Sequence, residues 1–229
     1  MTSTHERIHG VVFDFDGVVL ESADIKTRAF ATLFAGYPEH VDEIVRLHVE
    51  NAGISRYTKF EQIHRDILRI PFGEADSTRL GDEFARLVVD EVSRCEFVKG
   101  ADELLERLAS DYRLFVASGT PEHEMREIVR LRDLDHLFAG VYGSPASKAE
   151  ILSAIAASEG VSPGRLLFVG DSRTDYDGAL TAGVPFVGRE RPGDPKVFPG
   201  TNPVATVFDL KELDDRWEAI ERAVLTWRR

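Results

Sequence analysis

Two aspartates separated by one residue stand directly after a short apolar run near the start of the chain. The run Val11-Val12-Phe13 leads into Asp14-Phe15-Asp16-Gly17. Alternate residues of a strand point to the same face, so Asp14 and Asp16 share a side if the extended geometry persists. Two carboxylates about 4 Å apart repel by about 4 kcal/mol at an effective dielectric constant near 20, so a cation must lie between them or one must hold a proton. The pair therefore indicates a nucleophile beside a general acid, with a solvated turn as the alternative.

A second pair of aspartates follows another apolar run. Residues 166–169 lead into Gly170-Asp171-Ser172-Arg173-Thr174-Asp175, and residues four apart at the start of a helix lie on one face. The alternative is a helix N-terminus whose acids complement the helix dipole. Carboxylates and backbone carbonyls are the ligands that Mg²⁺ takes, usually together with waters and a substrate phosphate. The two acidic strand ends therefore predict one magnesium site.

Two further strand-to-helix junctions carry residues that suit an anion. Ser118-Gly119-Thr120 follows the apolar run 114–117, and we expect Thr120 to cap a helix that begins at Pro121. A hydroxyl group and free backbone N–H groups at such a junction can hold a phosphate oxygen. Lys148 stands at the start of another helix, where a cation is unfavourable with respect to the helix dipole. A plain cap and a surface lysine are the alternatives, but their occurrence together with the aspartates favours a phosphate site.

Short apolar runs alternate with amphipathic helical stretches through most of the chain. Runs without polar alternation are typical of parallel strands covered on both faces. We assign strands to residues 11–13, 114–117 and 166–169, with weaker candidates at 185–187 and 205–208. The alternation predicts an α/β fold with a doubly wound, Rossmann-like parallel sheet. Ligands of such sheets bind beyond the carboxyl ends of the strands, so we expect the polar residues that end the runs to meet in one crevice.

Residues 22–93 interrupt this alternation. Four stretches with the apolar spacing of amphipathic helices follow one another there, and no strand is indicated between them. The pattern predicts a four-helix insertion after the first strand, which would lie over the crevice as a cap. We therefore divide the chain into a Rossmann-like core domain, residues 1–21 and 94–229, and an α-helical cap domain, residues 22–93.

The motifs occur in the order of the four motifs of the haloacid dehalogenase superfamily, which the chain resembles, in the branch with an α-helical cap. The residues that carry the resemblance are Asp14-Phe15-Asp16-Gly17-Val18, Ser118, Lys148 and the segment 170–175. The resemblance implies that Asp14 attacks phosphorus to form an aspartyl-phosphate. It implies that Asp16 protonates the leaving oxygen and then activates water. It further implies that the phosphoryl group is held by Ser118, Gly119 and Lys148. Mg²⁺ would be bound by Asp14, the backbone carbonyl of Asp16 and Asp171, with Asp175 contributing directly or by orienting a ligand water.

The segment 53–60, Gly-Ile-Ser-Arg-Tyr-Thr-Lys-Phe, is the most distinctive part of the helical insertion. Arg56 and Lys59 lie three residues apart on the first turn of a helix, where cations oppose the helix dipole and so suggest an anionic partner. A solvated basic edge is the alternative. The segment is similar to the cap loop of β-phosphoglucomutase-like proteins, in which a Gly-x-Ser-Arg run grips a second anionic group on the substrate. Those mutases generally carry a histidine in the hinge where this chain has Lys26, which favours a phosphatase.

Composition and charge narrow the choice of partner and compartment. The formal net charge is −12, which opposes long-range attraction to nucleic acid or anionic lipid. No apolar run approaches the ~20 residues that a membrane helix requires. The single cysteine, Cys95, excludes an intrachain disulfide and fits a reducing compartment. Because the N-terminal residues are polar and do not resemble a secretory signal, we expect a cytoplasmic protein.

We therefore expect a Mg²⁺-dependent phosphatase that hydrolyses a small phosphorylated metabolite, similar to phosphoglycolate or a sugar phosphate. A β-phosphoglucomutase-like phosphosugar mutase is the alternative. A dehalogenase would typically lack an acid at the position of Asp16, because a halide leaving group needs no proton. A non-catalytic scaffold would require damage to the catalytic set, and none is present. The sequence indicates neither the physiological metabolite nor the oligomeric state.

Overall fold

The computed structural model describes residues 7–193, 196–198 and 202–227. Its centre is a sheet of six parallel strands: β1 (Gly10–Phe13), β2 (Arg113–Pro121), β3 (Phe138–Ser144), β4 (Leu166–Gly170), β5 (Phe186–Arg189) and β6 (Ala205–Val207). The strand order is β3-β2-β1-β4-β5-β6, which is the order of a doubly wound Rossmann sheet. The predicted α/β fold with a Rossmann-like parallel sheet is therefore confirmed.

The register of the central strands brings their carboxyl ends to one edge. All four residues of β1 are buried, as expected for a strand covered on both faces. Phe13 pairs with Val116 of β2 on one side and with Val169 of β4 on the other. The residues that follow these three positions therefore start at the same level, and this edge is where the acidic motifs meet.

The chain between β1 and β2 is entirely helical apart from its connections. It forms α1 (Ala23–Leu33), α2 (Val41–Glu50), α3 (Arg56–Gln62), α4 (Glu74–Val92) and α5 (Ala101–Ala109), with a π-helical stretch at Ile63–Leu68 continuing α3. We call residues 23–92, which hold α1 to α4, the helical segment. Its interior is aromatic: the ring centroid of Phe30 lies 5.0 Å from that of Phe84 and 5.8 Å from that of Phe60. These rings give the segment an apolar core, continuous with one face of the sheet.

Helices cover both faces of the sheet. The remaining ones are α6 (Glu122–Leu131), α7 (Lys148–Ser158), α8 (Arg173–Ala182), α9 (Leu210–Asp215) and α10 (Trp217–Thr226). Apolar residues of α7 and α8, among them Leu152 and Ala179, pack on Phe168 at one face. Residues of α5, α6, α9 and α10 belong to the core on the other face. Within the described residues, no helix combines the length and the apolar character needed to cross a membrane.

Two details differ from the sequence-based expectation. The sequence does not predict β3, because Phe-Ala-Gly-Val-Tyr-Gly-Ser interleaves glycines with larger residues instead of forming an apolar run. The expectation that Thr120 caps a helix beginning at Pro121 is wrong. Strand β2 continues through Pro121, which pairs with Ser144 of β3, and α6 begins at Glu122. Pairing with β3, which the sequence does not predict, thus extends β2.

Candidate active site

Asp14 follows β1 directly, and its carboxyl group lines a cavity at the edge of the sheet. Its Oδ1 accepts a hydrogen bond from the N–H of Phe15 at 2.7 Å and lies 2.8 Å from Nζ of Lys148. Burial, and next the charge of Asp175, raise the pKa of Asp14 to about 7, because the ionised form loses water and faces another carboxylate. With Oδ1 held in this way, Oδ2 is the oxygen placed to attack an electrophile.

Asp16 lies two residues further on and is surrounded by donors. Its Oδ1 accepts from Oγ of Ser22 at 2.6 Å, and its Oδ2 accepts from Nζ of Lys26 at 2.5 Å and from Oγ1 of Thr120 at 3.0 Å. The hydroxyl of Ser118 makes a longer contact of 3.4 Å with the same oxygen. Burial raises the pKa of Asp16, but the charge of Lys26 and the hydrogen bonds outweigh it, so the pKa lies below its ordinary value. Asp16 is therefore a carboxylate in the free protein.

Lys148, the first residue of α7, is buried among the acidic strand ends. Its Nζ lies 2.8 Å from Oδ1 of Asp14 and 2.7 Å from Oδ1 of Asp175, and it donates to the carbonyl of Ala117 at 2.7 Å. Burial lowers its pKa, but the two carboxylates outweigh this effect and raise it. Asp175 is fixed in turn, because its Oδ2 accepts from both the N–H and the hydroxyl of Ser172, the N-cap of α8. The Lys148 ammonium therefore links the acidic residues that follow β1 to those that follow β4.

Asp171 reaches this group because a glycine faces it. Gly17 has a φ of +77°, and a Cβ built there would lie 2.0 Å from Oδ2 of Asp171. Only glycine combines that backbone angle with such a close approach. The backbone around Gly17 is held by Arg189, whose guanidinium donates to the Gly17 carbonyl at 2.7 Å and pairs with both carboxylate oxygens of Glu21. Burial and the charges of Asp14 and Asp175 raise the pKa of Asp171 well above its ordinary value.

The acidic group fits a divalent cation. Asp14, Asp171 and Asp175 each place a carboxylate oxygen within 4.8 Å of the others, while Lys148 supplies one compensating charge. Oδ1 of Asp175 is buried without a hydrogen-bond partner, since its contact with Lys148 is ionic and lacks hydrogen-bond geometry. Mg²⁺ binds carboxylate oxygens, and a buried group with more negative than positive charge favours such a cation. These three residues, with the carbonyl of Asp16, could hold the ion.

Ser118 and Gly119 lie at the end of β2, where the helical segment meets the sheet. Ser118 is buried, whereas Gly119 lines the cavity. A Cβ at Gly119 would lie 2.4 Å from the carbonyl oxygen of Gly53, and a Cβ at Gly53, whose φ is +84°, would lie 2.7 Å from Oγ of Ser172. The turn before α3 therefore packs closely on two of the motifs, and this contact encloses the cavity.

Arg56 does not extend into the cavity as a free cation. Its guanidinium forms a two-pronged ion pair with Glu124 of α6, with distances of 3.2 Å from Nη1 to Oε1 and 2.5 Å from Nη2 to Oε2. It also lies 4.6 Å from the ring centroid of Phe84. The side chains of Arg56 and Glu124 are only 5% and 10% exposed. Arg56 thus connects the helical segment to α6, and its positive charge is already neutralised.

Lys59 lies one turn further along α3 and does line the cavity. Its Nζ contacts Nδ1 of His48 at 3.1 Å and donates to the His48 carbonyl at 3.2 Å. Burial, and next the positive charge of Lys26, lower the pKa of Lys59 to about 7. Burial and the charge of Lys59 lower the pKa of His48 to about 3. The two side chains therefore form one buried basic pair.

The cavity has a volume of about 590 Å³ and lies between the edge of the sheet and the helical segment. Asp14, Asp16 and Asp171 line it from the sheet, and Arg56 and Lys59 line it from α3. The other predicted site residues, which are Ser118, Lys148 and Asp175, are buried beside this wall. The strand-end motifs are thus brought together, while the two cations of α3 differ in their surroundings.

Four residues of the site did not emerge as site residues from the sequence. Lys26 and Thr120 contact Asp16, Arg189 supports the turn after β1, and His48 holds Lys59. Lys26 had a signal, since it stands on the first helix after the first motif, at the hinge position where related mutases carry histidine. Thr120 stands in the Ser118-Gly119-Thr120 junction, where the sequence predicts only a helix cap for it. Arg189 and His48 belong to no motif and come to the site through tertiary packing.

Comparison with known proteins gives a consistent family assignment. The sequence matches the model of the haloacid dehalogenase-like hydrolases over residues 11–189. The chain is 27% identical over 205 residues to a phosphoglycolate phosphatase of Salmonella paratyphi A, an alignment that covers 80% of this chain and 81% of the relative. The family match spans the helical segment and all four motifs.

Two solved structures show the same fold. A β-phosphoglucomutase of Clostridium difficile is similar with a TM-score of 0.74 at 19% identity, covering 96% of this chain and 98% of that one. The HAD-hydrolase YfnB of Bacillus subtilis, solved bound to magnesium, has a TM-score of 0.69 at 19% identity and covers 93% of this chain and 100% of that one. At these identities the likeness concerns the fold.

Proposed function

The chain belongs to the haloacid dehalogenase-like hydrolase family, and on this basis we propose that it is a Mg²⁺-dependent phosphatase of small phosphorylated metabolites. One observation carries the proposal. Asp14 lines the cavity beside Asp16, in front of a buried group of two further aspartates and Lys148. The name of the Salmonella relative supports the same reaction class. Such an arrangement suits phosphoryl transfer, which depends mainly on alignment and on neutralisation of charge.

In the first step, Oδ2 of Asp14 attacks phosphorus, and the bond from phosphorus to the leaving oxygen breaks. Phe15 N–H and Lys148 hold Oδ1 and so orient the attacking oxygen. Asp14 must be ionised to attack, and Mg²⁺ bound by the three aspartates would favour that form while neutralising the phosphoryl oxygens. Asp16 is ionised in the free protein, so it must take up a proton when the substrate binds, and it then donates that proton to the leaving oxygen. The products of this step are an aspartyl-phosphate and a free alcohol.

In the second step, Asp16 takes a proton from water, and the water oxygen attacks the phosphorus of the aspartyl-phosphate. The bond from phosphorus to Oδ2 of Asp14 breaks, so that phosphate leaves and Asp14 is regenerated. Asp16 then returns its proton to solvent, because its pKa is lowered in the free protein. The ionised state of Asp16 in the free protein suits its role as this base. Lys26 contacts Oδ2 of Asp16 at 2.5 Å, so this contact must break before Asp16 can carry the proton of the first step.

We also propose that residues 22–93 act as a cap domain over the site. The close packing of Gly53 on Gly119 and on Ser172 encloses the cavity from that side. An enclosed cavity admits a small phosphate ester more readily than a protein or a nucleic acid, and it limits access of bulk water during the reaction.

The test is turnover of p-nitrophenyl phosphate. Asp14→Asn should abolish turnover, and EDTA should abolish it in the parent protein until Mg²⁺ is restored. Asp111→Asn, the same change at a half-exposed aspartate that pairs with Arg7, is the matched control and should retain full activity. Full activity of Asp14→Asn, or of the EDTA-treated protein, would remove the proposed mechanism.

A phosphosugar mutase is the second candidate, since the Gly53-Ile54-Ser55-Arg56 segment and the fold resemble those of β-phosphoglucomutase. A mutase transfers the phosphoryl group back to a second hydroxyl of the sugar instead of to water. Incubation with glucose 1-phosphate and its bisphosphate separates the two functions. Glucose 6-phosphate would be the product of a mutase, and inorganic phosphate that of a phosphatase.

A further inference from the structure

Lys59 differs from the other buried lysine and arginine side chains of the described residues. Arg56, Lys148 and Arg189 each lie within ion-pair distance of a carboxylate. Lys59 is 3% exposed and has no carboxylate partner in the described part of the chain. Two of its three N–H donors are directed to His48, to Nδ1 and to the carbonyl oxygen. The third donor is left for an acceptor in the cavity.

Lys59 is also close to the group that would face the leaving oxygen. Its Nζ lies 5.6 Å from the ring centroid of Phe30, one turn of α1 beyond Lys26. The charge of Lys26 acts directly on Lys59, and Lys26 itself contacts Asp16 at 2.5 Å. A substrate whose phosphoryl group lies at Asp14 and whose leaving oxygen lies at Asp16 would therefore direct the next few atoms towards Lys59.

The protonation of Lys59 depends on what lies in the cavity. The titratable groups that face it are Lys26 from α1, His48 from α2 and Asp16 from the turn after β1, while Arg56 of its own helix is already paired. Burial and Lys26 lower the pKa of Lys59 to about 7, and Asp16 opposes them. An anion placed against the third N–H would favour the charged form and raise this pKa again.

We propose that Lys59 is the specificity residue for a carboxylate on the leaving group, so that the substrates are short phosphorylated carboxylic acids. The inference rests on the proposed phosphatase function. A carboxylate fits better than a second phosphate because one unpaired ammonium matches one negative charge, whereas a phosphate dianion would leave a buried charge without a partner.

The test compares two nearly isosteric esters, 2-phosphoglycolate and ethyl phosphate, which differ in one carboxylate. The parent protein should show a much higher kcat/KM for phosphoglycolate. Lys59→Met should lower that value by about 10- to 100-fold, as loss of one charge-assisted hydrogen bond predicts, and should change the value for ethyl phosphate by less than about threefold. Lys99→Met, at an exposed lysine paired with Asp209, is the matched control and should leave both values unchanged.

The pH dependence tests the proton in the parent protein, without any variant. The ratio of the two kcat/KM values cancels the ionisations of the protein that affect both esters equally. This ratio should be highest below pH 7 and should fall as the pH rises above about 7, since Lys59 must then take up a proton from solvent to bind the carboxylate.

Several results would overturn the proposal. A ratio near one in the parent protein, a ratio independent of pH, or an equal loss on both esters in Lys59→Met would each do so. A preference for ethylene glycol bisphosphate over phosphoglycolate would also overturn it, because it would show that the site recognises a second phosphate and not a carboxylate. Failure of the proposed function itself looks different, because the parent protein would then hydrolyse neither ethyl phosphate nor the other esters.

Discussion

The ion pair between Arg56 and Glu124 should be one of the strongest single connections between the helical segment and α6, a helix that packs on the sheet. Both side chains are almost fully buried and the pair is two-pronged, with distances of 3.2 and 2.5 Å. Removal of one partner leaves the other charge buried without compensation, which costs about 3–5 kcal/mol. Arg56→Met and Glu124→Gln should therefore each lower the free energy of unfolding by about that amount.

The double variant should be much less destabilised than the sum of the single ones. With both charges removed, no buried charge is left uncompensated, and the methionine can still pack on Phe84, which the guanidinium contacts at 4.6 Å. We expect an interaction free energy of about 3 kcal/mol in the double-mutant cycle. The measurement is urea unfolding of the four proteins, followed by a spectroscopic signal.

A matched pair on the same helix provides the control. Arg126 and Glu122 of α6 form an exposed ion pair at 2.8 Å, and exposed pairs of this kind contribute about 0.3–0.5 kcal/mol. The cycle with Arg126→Met and Glu122→Gln should therefore give a small interaction free energy. If the cycle at Arg56 and Glu124 gives a value equally small, the pair is solvated and the reasoning fails. Loss of activity in Arg56→Met without loss of stability would instead indicate direct contact with substrate.

Two further predictions concern backbone geometry and pH. Gly17→Ala should destabilise the protein by clearly more than Gly160→Ala and should abolish phosphatase activity. Both glycines have a positive φ, +77° and +66°, but of the two only the Cβ at Gly17 would meet Asp171. Gly160→Ala therefore measures the backbone strain alone, about 1–2 kcal/mol. Urea unfolding and turnover measure the difference, and equal losses would contradict the role of Gly17. His48 has a pKa of about 3 in the folded protein and is therefore neutral there above that pH. Between about pH 3 and 6.5 the unfolded chain binds one more proton at His48 than the folded protein does. The free energy of unfolding should therefore rise with pH across that window, by at most about 5 kcal/mol. His48→Asn should remove this contribution in urea unfolding between pH 4 and 7, and a variant whose pH dependence equals that of the parent would show that His48 does not titrate as described.

The positions of the strand-end motifs could be read from the sequence because the rule behind them is local and general. An apolar run that stops at a polar residue marks the end of a buried strand, and the carboxyl ends of neighbouring parallel strands meet at one edge. Asp14 and Asp171 each follow such a run, and the sheet brings them together. Strand β3 was not predicted because its glycines and aromatics form no such run, and pairing with β3 extends β2 four residues beyond the predicted end at residue 117.

The partners of the charged side chains were decided only by the tertiary structure. Arg56 and Lys59 look equivalent in the sequence, three residues apart on one helical turn. Arg56 nevertheless meets Glu124, 68 residues away, whereas Lys59 meets His48. Arg189 and Glu21 are 168 residues apart. No periodicity encodes such pairs, because the sign and separation of charges leave many pairings open until helix packing sets the distances. The sequence alone thus determined which groups could do the chemistry. The packing of the helical segment on the rest of the protein decided that Arg56 is paired with a carboxylate while Lys59 lines the cavity.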